Sequence, residues 1–220
     1  MKGKIIEINT DTIKIEFKSF KNKIGHIIKT KNGSIFEIRS IKQNVINAII
    51  IKKCDEFYIG LEVYNTNKTI TGPIGDNIYG NVFDISSSSL TSPEINFEKQ
   101  EQIISSKTNF FTSKTQLFTG IKIIDFMTPI FKGDKFGIFG GAGVGKTIII
   151  KEIIFNMSNN LKKTKSIFVG IGERSREGEE LFSELKESNL LKKTILFFAA
   201  MNEYAGSRFN IIKNALITAE

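Results

Sequence analysis

Gly140, Gly145, Lys146 and Thr147 have the types and spacing to bind a polyphosphate, satisfying the pattern Gly-x-x-x-x-Gly-Lys-Ser/Thr. The whole loop runs Gly140, Gly141, Ala142, Gly143, Val144, Gly145, Lys146, Thr147. Glycines let backbone N–H groups turn toward phosphate oxygens without Cβ clashes, and a helix opening there adds partial positive charge. The Lys146 ammonium would reach the β- and γ-phosphates, and the Thr147 hydroxyl would bind Mg2+. A plain glycine turn between strand and helix explains neither Lys146 nor Thr147.

A second cluster, "GIGERSREGEE", follows the next apolar stretch. Ligands of open α/β sheets sit at the carboxyl ends of parallel strands, where Glu173 and Arg174 are expected, beside the phosphate loop. A carboxylate there can polarise a water for attack on a γ-phosphate, and a guanidinium can bind phosphate oxygens. Glu177, near a helix start, could reach Mg2+ through water. Acidic residues are also favoured in any first helical turn. The residues by themselves therefore leave both readings open.

The elements that must position these groups are legible as period changes. Up to about residue 66 the chain alternates as strands do: in "TIKIEFK", Ile13, Ile15 and Phe17 share one face and Lys14, Glu16 and Lys18 the other. "SIFEI", "VINAIII" and "YIGLEVY" are similar short runs between turn signals, predicting a small antiparallel barrel. A Gly-, Pro-, Ser- and Asn-rich connector follows, with Ser86 to Ser89 expected as an exposed loop. Beyond it, "KFGIFG", "KSIFVGIG" and "TILFFAAM" read as buried strands. Between them come helices: "GKTIIIKEIIFNMS", burying Ile148, Ile149, Ile153, Ile154 and Met157, and "REGEELFSELKES", using Leu181, Phe182 and Leu185. "SRFNIIKNALITAE" opens another. Apolar strands alternating with helices predict a largely parallel sheet covered on both faces.

Bulk properties narrow the function classes. The 220 residues carry a net charge of +8, but the lysines are dispersed and no stretch joins dense Lys/Arg with stacking aromatics, so nucleic acid is not the expected partner. The richness in Ile, Asn, Lys and Phe fits AT-rich coding. Cys54 and His26 each stand alone, which leaves no internal disulfide and no cysteine-based zinc site; His26 reads as a packing or surface residue. No apolar run approaches the roughly 20 residues that span a bilayer, and the start turns polar too soon for a signal peptide. Membrane association is expected only through a partner.

The stretches "TGIKIIDFMTPIFKGDKFGIFGGAGVGKT", "GIGERSREG" and "MNEYAGSR" together resemble the catalytic beta subunits of F-type ATP synthases. "GPIGDNIYGNVFD" resembles that family's entry into its nucleotide domain, and the early strands its crown barrel. The resemblance implies a crown-like β-barrel over 1–66 and a RecA-like P-loop nucleotide-binding α/β domain over 67–220, incomplete at its C-terminus. It implies Lys146, Glu173 and Arg174 as catalytic residues, Gly140 through Thr147 as the nucleotide loop, and Mg2+ held by Thr147 and, through water, Glu177. ATP and ADP would be the substrates, in an H+-transporting two-sector ATPase. Alpha subunits alternating in a hexameric ring and a central rotor stalk would be the partners. The complex would lie on the inner face of a bacterial plasma membrane or an organelle inner membrane. Ser175 replaces the family's threonine, and Tyr204 and Ala205 stand where it usually has two prolines.

Other readings stay open beside this one. A non-catalytic alpha-type subunit would carry Arg-Gln-Thr before Gly-Lys-Thr and glutamine at the position of Glu173, and neither is present. A hexameric motor acting on nucleic acid or exporting protein lacks support in the two motifs. A truncated or reduced nucleotide-binding subunit, inactive by itself, is the main alternative, and the isolated chain is expected to be inactive.

Overall fold

Alternating burial in the N-terminal stretch closes into a barrel. The computed structural model describes residues 2–17, 22–92, 96–101, 115–141, 143–160 and 164–220. Six strands, β1 (Lys2–Ile8), β2 (Thr12–Phe17), β3 (Ile27–Thr30), β4 (Ile35–Lys42), β5 (Val45–Lys52) and β6 (Glu62–Asn65), close in the order β1-β2-β5-β4-β3-β6. Every neighbouring pair is antiparallel. Ile13, Ile15 and Phe17 enter the barrel core with Ile5, Ile28, Phe36 and Ile38, as a period of two requires. Closure leaves no unpaired sheet edge. The strand expected over "YIGLEVY" is shorter, because Gly60 takes a positive φ of 94° and turns the chain before Glu62. Tyr58 and Ile59 are consequently exposed.

The chain divides into two units, one of Met1–Ile103 with Ile167–Glu220 and one of Ile104–Ser166. In the first, the barrel is followed by β7 (Thr71–Ile74), β8 (Val82–Phe83) and β9 (Glu98–Glu101), with β7 and β9 paired antiparallel. The serine run does not form the exposed loop expected of it. Ser87 is fully buried; its hydroxyl donates to the Thr71 carbonyl at 2.6 Å and accepts from Asn214 at 3.3 Å. Small hydroxyls let this turn pack inward while its polar groups stay satisfied.

The second unit contains β10 (Gln116–Leu117), α1 (Lys122–Met127), β11 (Ile130–Phe131) and α2 (Lys146–Asn160). "KFGIFG" is not a strand there: Lys135–Gly140 has no ladder partner, and Phe139 is 96% exposed. An apolar strand needs a neighbour to take its N–H and C=O groups, and among the described residues β10 and β11 pair with each other alone. Helix α2 forms where expected, with Ile149, Ile153, Ile154 and Met157 half-buried, whereas Ile148 is exposed.

The remaining elements are β12 (Ser166–Glu173), α3 (Ser175–Glu187), β13 (Thr194–Ala200) and α4 (Ala205–Ala219). The strands lie in the order β12-β13-β8, with β13 and β8 parallel. Strand β13 reads as a continuous apolar run because Ile195, Leu196, Phe197 and Ala199 are all buried, on alternating faces. Leu181 and Leu185 are buried on α3, as its period predicted, with Phe182 half-buried.

Helix α4 packs on β5, β7 and β13. Gly206 permits the closest approach, since a Cβ there would stand 2.2 Å from the Ile50 carbonyl oxygen. The departure at Tyr204-Ala205 has a visible role. Tyr204 packs against the barrel core, and the Ala205 N–H, which a proline would lack, points at the Asp11 carboxylate 3.5 Å away. On the outer face of β4, Glu37 is buried beneath α4. It accepts from Arg39 at 2.8 Å, Lys213 at 2.9 Å and Asn210 at 2.6 Å.

Candidate functional site

The phosphate-loop residues belong to the second unit and the charged cluster at the end of β12 to the first, so each is described in its own frame. In the second unit the turn before α1 is organised by Asp125. Its carboxylate accepts from the Thr119 N–H at 2.8 Å, the Thr119 hydroxyl at 2.7 Å and the Gly120 N–H at 3.0 Å. Burial raises the Asp125 pKa, but the bonds from Thr119 and Gly120 outweigh it and hold the carboxyl below its ordinary value. The Asn156 amide on α2 donates to the Thr119 carbonyl at 3.0 Å, tying the helix to this turn.

At the other end of α2 lies the glycine loop. Gly143 and Gly145 take φ of 73° and 86°, left-handed values that a side chain resists. A Cβ on Gly140 would come within 2.8 Å of a Val144 methyl, which would have to move to admit it. Lys146 opens the helix and turns back over the loop, its ammonium donating to the Gly140 carbonyl at 2.7 Å and to the Gly141 carbonyl. Ala142 lies outside the described residues. Thr147 is half-buried in the first turn of α2. Ammonium, hydroxyl and the N–H groups of a helix start are donors or positive ends, a set complementary to phosphate oxygens.

In the first unit β12 ends at Glu173, whose carbonyl accepts the Met201 N–H at 3.0 Å. Gly172 turns the chain with a φ of 66°, and Arg174 is the N-cap of α3. The Arg174 carbonyl accepts from the N–H groups of Glu177 and Gly178. Glu173 is half-buried, while Arg174 and Glu177 are exposed, with Glu177 in the first turn of α3 where the helix dipole favours it. Gly170 and Gly178 grip the Phe198 ring, as a Cβ on either would stand 2.6 Å or 2.5 Å from it. The glycine of "SREG" thus sets how closely α3 seats on β13.

One residue was not singled out by the sequence reading. Arg208, in the first turns of α4, passes its Cδ 3.9 Å from the Cβ position of Gly172, and its Nε is buried with no hydrogen-bond partner among the described residues. This brings a second guanidinium stem to the end of β12. An arginine within "MNEYAGSR" was the signal available for it.

Among the described residues no group of three or more His, Cys, Asp or Glu could hold a metal. Within the second unit, the Thr147 hydroxyl is a hard oxygen donor of the kind Mg2+ takes when phosphates and waters complete its shell. No described helix is long and apolar enough to cross a membrane.

A closed antiparallel barrel and strand–helix alternation mark the first unit, and a glycine loop opening a helix marks the second, the parts that a nucleotide-binding class of protein carries. Residues 120–220 match the ATP synthase alpha/beta family, nucleotide-binding domain. ATP synthase subunit beta 2 of Mycoplasmopsis pulmonis (strain UAB CTIP) is 40% identical over 226 aligned residues, spanning 99% of this chain and 48% of that protein. Residues 120–220 are thus similar to the nucleotide-binding domain of that family, and the likeness to a beta subunit runs along the whole chain. It spans about half the length of that curated relative.

Proposed function

We propose that the chain is the N-terminal portion of the catalytic beta subunit of a rotary proton-translocating F-type ATP synthase. Residues 1–66 would be its crown barrel and 67–220 would belong to its RecA-like P-loop domain. The observation that carries the reading is the Gly140–Thr147 loop, with its left-handed glycines and Lys146 folded over it. In this reading ATP or ADP lies along the loop. The Lys146 ammonium exchanges the Gly140 and Gly141 carbonyls for phosphate oxygens, with backbone N–H groups donating beside it.

Glu173 accepts a hydrogen bond from the attacking water and aligns it with the γ-phosphorus, while Arg174 binds the phosphoryl oxygens. The P–O bond to the new water oxygen forms as the bond to the β,γ-bridging oxygen breaks. Thr147, and Glu177 through water, would hold Mg2+, which neutralises charge on the transferring group. Alpha subunits alternating with this chain in a hexameric ring would complete the site, with a central rotor stalk coupling it to proton flow. The chain would then be peripheral on the inner face of a bacterial or organelle membrane.

The test is Glu173→Gln in the assembled complex. Nucleotide affinity should stay within about twofold, while hydrolysis should fall by at least about a thousandfold, the scale of losing an electrostatically essential group. Turnover at the wild-type rate would remove Glu173 from the mechanism. The alternative, a subunit without catalytic activity, requires that nucleotide bind and turnover be absent in the wild-type complex as well.

A further inference from the structure

On the first unit a cavity of about 290 Å3 opens among β3, β5, β7, β9 and the loop after β6. None of the residues assigned above to nucleotide or magnesium lines it. Its floor is five isoleucines, Ile51 and Ile85 among them, and its rim carries Lys29, Lys68 and Lys99. No carboxylate is among the lining residues.

The cations are unevenly compensated. Lys52, beside the cavity, donates to Asp84 at 2.8 Å and to the Ser86 hydroxyl at 3.4 Å. Neither Lys29 nor Lys68 makes an ion pair among the described residues. The Lys99 ammonium is fixed in place, donating to the Ser86 carbonyl at 3.0 Å and lying 5.6 Å from the centre of the Phe97 ring. Burial lowers the Lys99 pKa, Asp84 opposes this, and the positive charges of Lys29 and Lys52 add to the lowering. An anion between these lysines would relieve the repulsion.

The Thr66 hydroxyl already donates to the Ile27 carbonyl at 2.7 Å, while the Ser86 hydroxyl accepts from Lys52 and keeps its own proton to donate to an anionic head. The isoleucine floor offers a second kind of contact, and a pocket that is apolar with a few placed charges is the usual form of a small-molecule site. We propose that this cavity binds an anionic amphiphile, its phosphate or carboxylate head between Lys29, Lys68 and Lys99 and a short aliphatic body on the isoleucine floor.

Calorimetric titration of the full chain with octyl phosphate, octanoate, inorganic phosphate, octanol and a heptapeptide of glutamates tests this. Octyl phosphate and octanoate should saturate one site. Inorganic phosphate and octanol, each lacking one half of the ligand, should bind at least about tenfold more weakly. Lys29→Gln with Lys68→Gln changes two exposed rim residues and so spares the fold; it should weaken octyl phosphate by about tenfold or more. Adding Lys99→Gln should weaken it further, with circular dichroism unchanged. Flotation with phosphatidylglycerol vesicles separates the sources. Binding lost in the same variants assigns a lipid head, and capture of the soluble probes alone assigns a soluble ligand. No saturable binding, equal affinity in the double variant, or tighter binding of the glutamate peptide would overturn the proposal.

Discussion

Substituting Glu37 by Gln probes how α4 is held on the barrel. Glu37 is 2% exposed, and its carboxylate meets Arg39 and Lys213, which are 35% and 32% exposed. Its third partner is the Asn210 amide. Removing one member of a buried ion pair costs about 3–5 kcal/mol when the charge left behind is itself buried. Here the cations left behind are one-third exposed and can turn to water, so the cost falls to the lower end. The two ion pairs become hydrogen bonds from Arg39 and Lys213 to a neutral amide oxygen, losing about 1 kcal/mol each. The new amide N–H2 facing a cation adds about 1 kcal/mol more. Glu37→Gln should therefore destabilise by about 3 kcal/mol, lowering Tm by about 6–12 °C for a chain of this size.

Lys213→Met leaves Glu37 with Arg39 and Asn210 and should cost only about 1–2 kcal/mol. Urea unfolding followed by circular dichroism measures both, and the double variant gives their coupling, expected above about 1 kcal/mol. Replacing Glu37, Arg39, Lys213 and the fully buried Asn210 together by apolar residues should recover most of the loss, as buried ion networks rarely exceed good apolar packing in net stability. A change below about 0.5 kcal/mol for Glu37→Gln, the range of an ordinary surface substitution, would refute the reasoning.

Three further predictions follow from close contacts and charge. Gly178→Ala places a methyl 2.5 Å from the Phe198 ring, and the overpacking should cost about 1–3 kcal/mol by thermal melting. Phe198→Leu in the same chain should restore part of it, and an unchanged Tm in the single variant would contradict the geometry. Asp125 is held below its ordinary value of 3.8, so its contribution is complete above that value and is lost as pH falls through the lowered one. An NMR titration of the Thr119 amide should show a midpoint below 3.8, and Asp125→Asn should abolish the transition; a midpoint at or above 3.8 would refute this. Gly206→Ala should be worse than Gly178→Ala, because it meets the backbone oxygen of Ile50, which cannot rotate away as a ring can. Equal losses would refute that ordering.

The barrel was legible because its strands alternate and a closed sheet obeys the alternation everywhere, as at Ile13, Ile15 and Phe17. Helices α3 and α4 were legible for the same reason at a period of 3.6. Other features depend on contacts between distant segments, which no local pattern encodes. Glu37 reads as an outward-facing polar residue of β4 until α4, more than 170 positions on, covers it. Ser87 reads as loop until Thr71 and Asn214 take its hydroxyl. "KFGIFG" has the composition of a buried strand but no ladder partner among the described residues. The phosphate loop was the clearest local signal, since its chemistry lies within eight consecutive residues. Arg208 escaped notice because only the fold brings it to Gly172.

The central claim is that Gly140–Thr147 holds the phosphates of a nucleotide, and calorimetry of MgATP binding to this chain and to Lys146→Ala tests it most directly. The expected result is saturable binding by the wild type and none by a folded Lys146→Ala variant. Equal affinity in the two would contradict the claim.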